Sequence, residues 1–290
     1  MFKQLLIVGI CICSAIAYGD TMTITPMDSP EGLASRLLGD GVAVTNVSFQ
    51  GSNISAGYFS GGIKAGIGLN SGVVLTSGDA SLAGLKNISS GSGMNVNGSG
   101  YDKLNTLTGG FHTYDATVLS ISFIAHGDSA YFNYTFASDE FVEYANSSFN
   151  DVFGFFIEDQ NYALIPGTTE PVSINNINSV DHPDLFNNND PWNGGATEVK
   201  DVTYDGFTNA FTASLTGLVI GQEYTIDMAI ADTGDHVYDS AVFIDAGSFS
   251  TTKTKPSGAP EPSFFILILI GAFAIWGYGK VGGESYCVNR

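Results

Sequence analysis

The stretch YFNYTF, residues 131–136, alternates its side chains in the two-residue period of a β-strand. Further strand patterns occupy residues 42–49, 118–123, 152–157, 224–230 and 241–244. Glycine- and asparagine-rich stretches separate these segments, and no helical pattern lies between them. Short strands in this arrangement indicate antiparallel sheets that pack face to face. The sequence therefore predicts an all-β fold, an antiparallel β-sandwich similar to a jelly roll.

One short N-terminal helix is predicted ahead of these strands. Ser29 is suited to cap this helix, and Pro30 is suited to its first turn. Leu33 and Leu37 lie on one face of the predicted helix, and Gly39 ends it.

Two polar stretches do not follow a strand pattern. Residues 87–100, NISSGSGMNVNGSG, are predicted to form a flexible loop. Residues 174–195 form a longer polar insertion that contains Trp192. Long loops on a rigid sheet scaffold are where binding usually resides, so the insertion is a candidate binding region.

The composition excludes several classes of protein. The 290 residues carry 10 Lys+Arg against 29 Asp+Glu, a formal net charge of −19. Nucleic acid is excluded as a partner, because this chain cannot neutralise a row of phosphates. The 44% of hydrophobic residues provide a core, which excludes general disorder. The 36 glycines and the low charged fraction of 13% are typical of β-rich extracellular proteins.

The N-terminus has the three parts of a secretory signal peptide. Lys3 precedes an apolar run at residues 5–17, which ends in the small residues Ala15 and Ala17. We therefore predict a signal peptide at residues 1–17, with cleavage after Gly19 as the alternative. A buried N-terminal strand or helix is the competing interpretation. The secretion translocon is the partner that a signal peptide implies.

The C-terminus has the layout of a sorting signal. After a polar linker at residues 251–259, Pro260-Glu261-Pro262 precedes the apolar segment 264–278. This order resembles the PEP-CTERM signal of Gram-negative bacteria, and we assign residues 260–290 to it. The resemblance implies an exosortase-type partner and a secreted or cell-surface location, anchored transiently or permanently through residues 264–278. An ordinary single-span anchor is the alternative, and the usual arginine cluster is absent from this tail.

Four ordered motifs carry a second resemblance, which covers about residues 23–250. They are FASDEFVEYANSSFNDVFGFFIED (136–159), YALIPGTTEPVSINNIN (162–178), YDGFTNAFTA (204–213) and IADTGDHVYDSAVFIDAGSF (230–249). The motifs resemble the bacterial choice-of-anchor L domain, and residues 18–250 are predicted to form it. The resemblance implies a secreted surface protein whose shared body is attached by one of several sorting signals. It implies no established biochemical activity.

Acidic residues gather at the predicted strand ends. Asp139 and Glu140 follow one strand, and Asp235 and Asp239 lie between two others. Calcium prefers several carboxylate and carbonyl oxygens, which loops between sheets often supply. These four residues are the predicted calcium ligands, and calcium is the one cofactor considered. Local turn formation by Asp and Asn side chains is the alternative explanation.

The insertion also has the composition of a carbohydrate site. Trp192, with Asn193 and Asp190 beside it, offers an aromatic face and hydrogen-bonding groups. Extracellular polysaccharide is therefore the predicted ligand of these three residues. The alternative is a loop whose tryptophan is tucked beneath the sheet.

These features predict a non-catalytic surface protein that acts in adhesion or in association with extracellular matrix polysaccharide. The sequence contains no nucleophile elbow, zinc-protease motif or phosphate-binding loop. Asp139 and Glu140 are adjacent, so on a strand they would face opposite sides and make a poor glycosidase pair. A secreted polysaccharide-active hydrolase and a self-associating structural matrix protein are the alternatives, with ice binding a distant third.

Overall fold

The computed structural model of the protein describes residues 21–259. It is 38% strand and 10% helical and contains two antiparallel sheets, which confirms the predicted all-β sandwich. Within the described range, no helix is both long enough and apolar enough to cross a membrane. The predicted signal peptide at residues 1–17 and the sorting segment at residues 260–290, with Pro260, Glu261 and Pro262, lie outside the described residues and stay predictions.

The described part of the chain contains thirteen strands and three α-helices. In chain order these are β1 (Thr23–Pro26), α1 (Pro30–Leu37), β2 (Val42–Gln50), β3 (Ala56–Ser60), α2 (Gly62–Ala65), β4 (Ser71–Thr76), α3 (Asp102–Asn105), β5 (Thr113–Ala125), β6 (Ser129–Ser138), β7 (Val152–Ile157), β8 (Gln160–Asn161), β9 (Phe186–Asn188), β10 (Gly206–Thr208), β11 (Phe211–Thr216), β12 (Glu223–Thr233) and β13 (Ser240–Asp245). Short 3-10 helices lie at Asn53–Ser55, Ala80–Leu82 and Pro183–Leu185.

The larger sheet has the strand order β1-β3-β4-β13-β6-β10-β9, and β11 also pairs with β6. The smaller sheet has the order β2-β5-β12-β7-β8. All strand pairs within the two sheets are antiparallel. Each of the six predicted strands lies within one of these strands or coincides with it.

An aromatic layer holds the two sheets together. Phe132 and Tyr134 of β6 point into the core between the sheets, as the alternation of YFNYTF predicts. They meet Phe155 and Phe153 of β7, with ring centroids 5.1 Å apart in both pairs. Burying one such side chain stabilises the fold by about 1.5–3 kcal/mol.

The strand β7 is buried along its whole length. Phe153 and Phe155 face the core between the sheets, whereas Val152 and Phe156 pack with Leu104 of α3 on the outer face. Because both faces of this strand are covered, its sequence is a continuous apolar run.

The predicted N-terminal helix is α1. The N–H of Gly32 donates to Ser29 Oγ at 3.0 Å, so Ser29 caps the helix as predicted. The helix ends at Leu37, earlier than Gly39, because Leu38 is extended and forms a bridge with Phe249. The helices α2 and α3, each of four residues, have no counterpart in the prediction.

Strand ends from both sheets meet at one end of the sandwich. In the larger sheet, Ser138 at the end of β6 pairs with Ser240 at the start of β13 and with Gly206 at the start of β10. In the smaller sheet, the end of β12 lies beside the starts of β5 and β7. The connections β6–β7 and β12–β13 join these edges, so the loops that carry the acidic residues converge there.

Candidate functional site

Six of the carboxyl side chains that are buried at this end of the sandwich form one group, and each is at most 5% exposed. We call them the central acid cluster: Asp115, Asp139, Glu140, Asp151, Asp232 and Asp239. Three of the four predicted calcium ligands belong to this cluster. The fourth, Asp235, is half-buried, and its Oδ1 accepts the N–H of Val237 at 3.1 Å.

Asp139 and Asp239 lie side by side. The N–H of Asp139 donates to the carbonyl oxygen of Asp239 at 3.0 Å. Ser92 Oγ donates to Asp139 Oδ2 at 2.9 Å, whereas Asp139 Oδ1 is buried without a hydrogen-bond partner. The two Asp239 oxygens accept the N–H of Met94, each at 3.0 Å.

Asp151 and Asp232 lie at the junction of the two sheets. Asp151 accepts the N–H of Thr233 at 2.8 Å and the hydroxyl of Ser240 at 2.7 Å. Asp232 is 1% exposed, and neither of its carboxylate oxygens has a hydrogen-bond partner. The Ser77 hydroxyl is near enough to favour the ionised form of Asp232 but lies outside hydrogen-bonding geometry. Neither Asp151 nor Asp232 belongs to the set of calcium ligands predicted from the sequence.

Glu140 has different charged neighbours from those of Asp139. Burial raises the pKa of Glu140 to about 9, and the charges of Asp151, Asp235 and Glu143 add to the effect. Its Oε2 is buried and has no hydrogen-bond partner. The two adjacent acids therefore meet different neighbours.

Five members of the cluster resist ionisation. Burial raises the pKa of Asp239 to about 7, and the charges of Asp115 and Asp79 add to the effect. Burial and neighbouring carboxylates also raise the pKa of Asp139, Asp151 and Asp232. Buried carboxylates that repel one another need either protons or cations to be stable.

The loop at residues 87–100 covers part of the cluster. It has neither helix nor strand, in agreement with the prediction, but its backbone is bound to acids. The N–H groups of Val96, at 3.3 Å, and of Gly98 donate to the carboxylate of Asp115. His236 Nδ1 also contacts Asp115 Oδ2, at 2.9 Å. Nothing in the sequence indicated Asp115, because its partners are distant along the chain.

A second acidic group lies beside the predicted carbohydrate residues. Glu143, Asp190 and Asp205 each bring a carboxylate oxygen within 4.8 Å of the other two. We call these three residues the loop carboxylates. Within residues 21–259, no three of the predicted calcium ligands approach one another this closely. Asp190 was predicted as a sugar ligand, whereas Asp205 was missed as a site residue.

Asp190 organises the turn that carries Trp192. Its carboxylate accepts the N–H of Trp192 at 2.6 Å, of Asn193 at 3.1 and 3.0 Å, and of Gly194 at 3.1 Å. The side-chain amide of Asn193 donates to Glu143 Oε1. Trp192 itself is 50% exposed, so it is not tucked beneath the sheet. The three predicted ligand-binding residues therefore lie together on one turn.

The strand β9 lies inside the insertion that was predicted to lack strands. Its three residues, Phe186–Asn188, pair with β10 through the backbone. Two of them are asparagines, which are depleted in strands, so no strand pattern is visible in this stretch.

Comparison with known proteins agrees with the four sequence motifs. The family model described as the choice-of-anchor L domain matches residues 23–250. No curated protein and no solved structure matches the chain.

Proposed function

The chain belongs to the choice-of-anchor L family, and from this premise we propose that it is a non-catalytic adhesion or matrix-binding protein. Membership of the family indicates a secreted or cell-surface protein. The proposed ligand is extracellular polysaccharide, and the proposed contact surface is the turn of Asp190, Trp192 and Asn193.

The observation that carries this proposal is the half-exposed Trp192 on a turn fixed by Asp190. An exposed indole offers a flat apolar face and an N–H donor, and both suit the face and hydroxyls of a sugar ring. Because the Asp190 carboxylate holds the turn through three backbone N–H groups, the indole is presented on an ordered support. Preorganisation of this kind reduces the entropy cost of binding.

The burial of the acids supports a non-catalytic role. A glycosidase needs two carboxyl groups that face each other across a cleft. One cavity is lined by residues that include Asp28, Arg36 and Tyr58, and another by residues that include Glu158 and Tyr162. None of these residues belongs to the central acid cluster, whose members are covered by protein. The central acid cluster therefore does not supply such a pair, and hydrolysis of polysaccharide stays the alternative.

The route to the surface is a separate proposal. The signal peptide at residues 1–17 would direct the chain to the secretion translocon, and an exosortase-type enzyme would act at Pro260-Glu261-Pro262. Replacing Glu261 with alanine tests this route. We expect the variant to accumulate in the membrane fraction with its C-terminal segment retained, as measured by mass spectrometry.

Sugar binding is tested with the purified full chain on immobilised matrix polysaccharides. We expect Trp192→Ala to weaken binding by about tenfold or more, the loss typical of a buried aromatic anchor. Phe111→Ala is the matched control, because Phe111 is another exposed aromatic residue, at 51% exposure. Equal binding by the wild type and Trp192→Ala would contradict the proposed contact surface.

One observation favours self-association as a second candidate function. The nine-residue strand β2 forms an edge of the smaller sheet and is the longest edge strand in the described structure. Unpaired edges of this length can pair with another copy of the chain. The exposed residue Ser48 lies on this strand, and Ser48→Lys would block such pairing. Sedimentation analysis should then show fewer oligomers than the wild type.

A further inference from the structure

The loop carboxylates come from three different segments of the larger sheet. Glu143 follows β6, Asp190 follows β9, and Asp205 immediately precedes β10. Because β10 is antiparallel to both β6 and β9, these three positions lie at the same edge of the sheet. The fold therefore brings together three acids that are separated by up to 62 residues, from 143 to 205.

Asp205 has an oxygen without a protein partner. The residue is 0% exposed, and its Oδ1 accepts a hydrogen bond from Asn87 Nδ2 at 2.6 Å. Its Oδ2 is buried and has no hydrogen-bond partner. Burial, together with the charges of Asp190 and Glu143, raises the pKa of Asp205 to about 7. A buried oxygen of this kind is costly unless a ligand or a proton satisfies it.

The other two carboxylates are held in place by the surrounding backbone. Asp190 is fixed by the N–H groups of its own turn, and its N–H donates to Asn188 Oδ1 at 2.9 Å. Glu143 Oε2 accepts the N–H of Val142 at 2.8 Å. Both side chains are therefore oriented before any ligand arrives. A rigid set of ligands needs little reorganisation on binding.

We propose that Glu143, Asp190 and Asp205 bind a divalent cation of the calcium type, which fixes the turn that carries Trp192. Three carboxylates and no sulfur or imidazole ligand favour a hard cation over zinc. Calcium suits this site better than magnesium because it accepts irregular geometry and a larger number of oxygens. Water or a hydroxyl group of a bound ligand would complete its coordination.

This site differs from the calcium site predicted from the sequence. Of its three residues, only Asp190 was predicted as a site residue, and it was predicted to bind sugar. It shares Asp190 with the proposed sugar-binding turn, but it rests on carboxylate geometry and not on any sugar. The cation would join the segments after β6 and β9 to the start of β10. Its removal would loosen the turn without unfolding the sandwich.

Terbium luminescence tests the proposal directly. Terbium(III) replaces calcium at oxygen sites and emits when a nearby tryptophan absorbs light. The chain has two tryptophans, Trp192 and Trp276, so the full chain carrying Trp276→Phe retains Trp192 as its one tryptophan donor, which excitation beyond the tyrosine absorption band selects. We expect sensitised emission in this protein, and we expect excess calcium to displace the terbium and abolish the signal.

Glu143→Gln and Asp205→Asn identify the ligands. We expect each to weaken terbium binding by at least about tenfold, whereas Glu170→Gln, a change at an exposed acid outside both acidic groups, should leave it unchanged. Glu143 is exposed, so its variant tests the site even if Asp205→Asn folds poorly. Absence of sensitised emission, or equal emission from Glu143→Gln and the parent, would overturn the proposal. These readouts involve no polysaccharide, so they are independent of the sugar-binding test.

Discussion

Gly78 packs directly against the carboxylate of Asp239, so closely that a Cβ atom added to Gly78 would overlap Asp239 Oδ2. Asp239 is 5% exposed and is also bound by the N–H of Met94. The segment between β4 and α3 therefore contacts this buried acid at two points. Only glycine permits so close an approach of backbone to side chain at position 78.

Gly78→Ala is therefore expected to destabilise the protein by about 1–3 kcal/mol, the usual cost of inserting a methyl group into a packed site. Urea unfolding of the full chain measures this cost. The same substitution in an Asp239→Ala background is the control, because the shortened side chain removes the overlap. An equal cost in both backgrounds would show that the contact with Asp239 is not the cause.

Stability without divalent cations is expected to fall as the pH rises. Burial raises the pKa of Asp205 and Asp239 to about 7 and that of Glu140 to about 9. In the unfolded chain such groups titrate near pH 4, so above that pH the folded state holds more protons. The stabilisation is complete below the unfolded pKa and is lost as the pH passes through the folded values, by about 1.4 kcal/mol per pKa unit. Urea unfolding in EDTA at about pH 5 and about pH 8 checks the sign.

Asp232→Asn is expected to stabilise the cation-free protein at about pH 8 by about 1–3 kcal/mol. The wild-type carboxylate is buried beside Asp151 and Asp239, and neither of its oxygens has a hydrogen-bond partner. Burial and the charges of Asp151 and Asp239 raise the pKa of Asp232, so the gain should shrink as the pH falls towards about 5. Asp40→Asn, at an exposed acid, is the matched control and should change little at either pH. Destabilisation at pH 8 would mean that the Asp232 carboxylate has a partner.

Asp115→Asn is expected to release the loop at residues 87–100. Asp115 accepts the N–H groups of Val96 and Gly98, and hydrogen bonds to a charged group contribute about 1.5–3 kcal/mol each. Asparagine tolerates the left-handed backbone at this position, where φ is 51°, so the change removes charge without adding strain. Amide exchange measured by mass spectrometry should speed up about tenfold in the loop. Asp128→Asn, a change at an exposed acid whose side chain contacts Ser129, should leave that exchange unchanged.

Six strands of the sandwich were predicted, each where one face or both faces are covered by apolar residues, but β4 and β11 are covered in the same way and were missed. The alternation in β6 and the apolar run of β7 reflect burial directly, so both strands were found. The strands β9 and β10 contain three residues each and pair through their backbones. Backbone pairing leaves no apolar pattern in the side chains of these short strands, so β9 and β10 were missed.

The candidate sites were only partly predictable, because the strand order of the sheets brings together residues that are distant along the chain. Asp139 and Asp239 follow or precede strong strand patterns, so their position at strand ends was visible in the sequence. Asp115 meets His236 across 121 positions of the chain, and Asp205 meets Asn87 across 118. Contacts at such separation depend on the strand order, which the local pattern does not specify.

Tyr134→Phe is expected to leave the stability unchanged or to raise it by up to about 1 kcal/mol. Tyr134 is 0% exposed, and its ring lies 5.1 Å from that of Phe153 and 5.2 Å from that of Phe155. Its hydroxyl has no hydrogen-bond partner among the described residues, so the substitution removes a buried polar group and keeps the aromatic contacts. Tyr204→Phe is the comparison, because the Tyr204 hydroxyl lies 3.4 Å from Thr76 Oγ1 and would lose that contact. If Tyr134→Phe instead destabilises the protein by more than about 1 kcal/mol, the hydroxyl must be satisfied by a buried water within the aromatic layer.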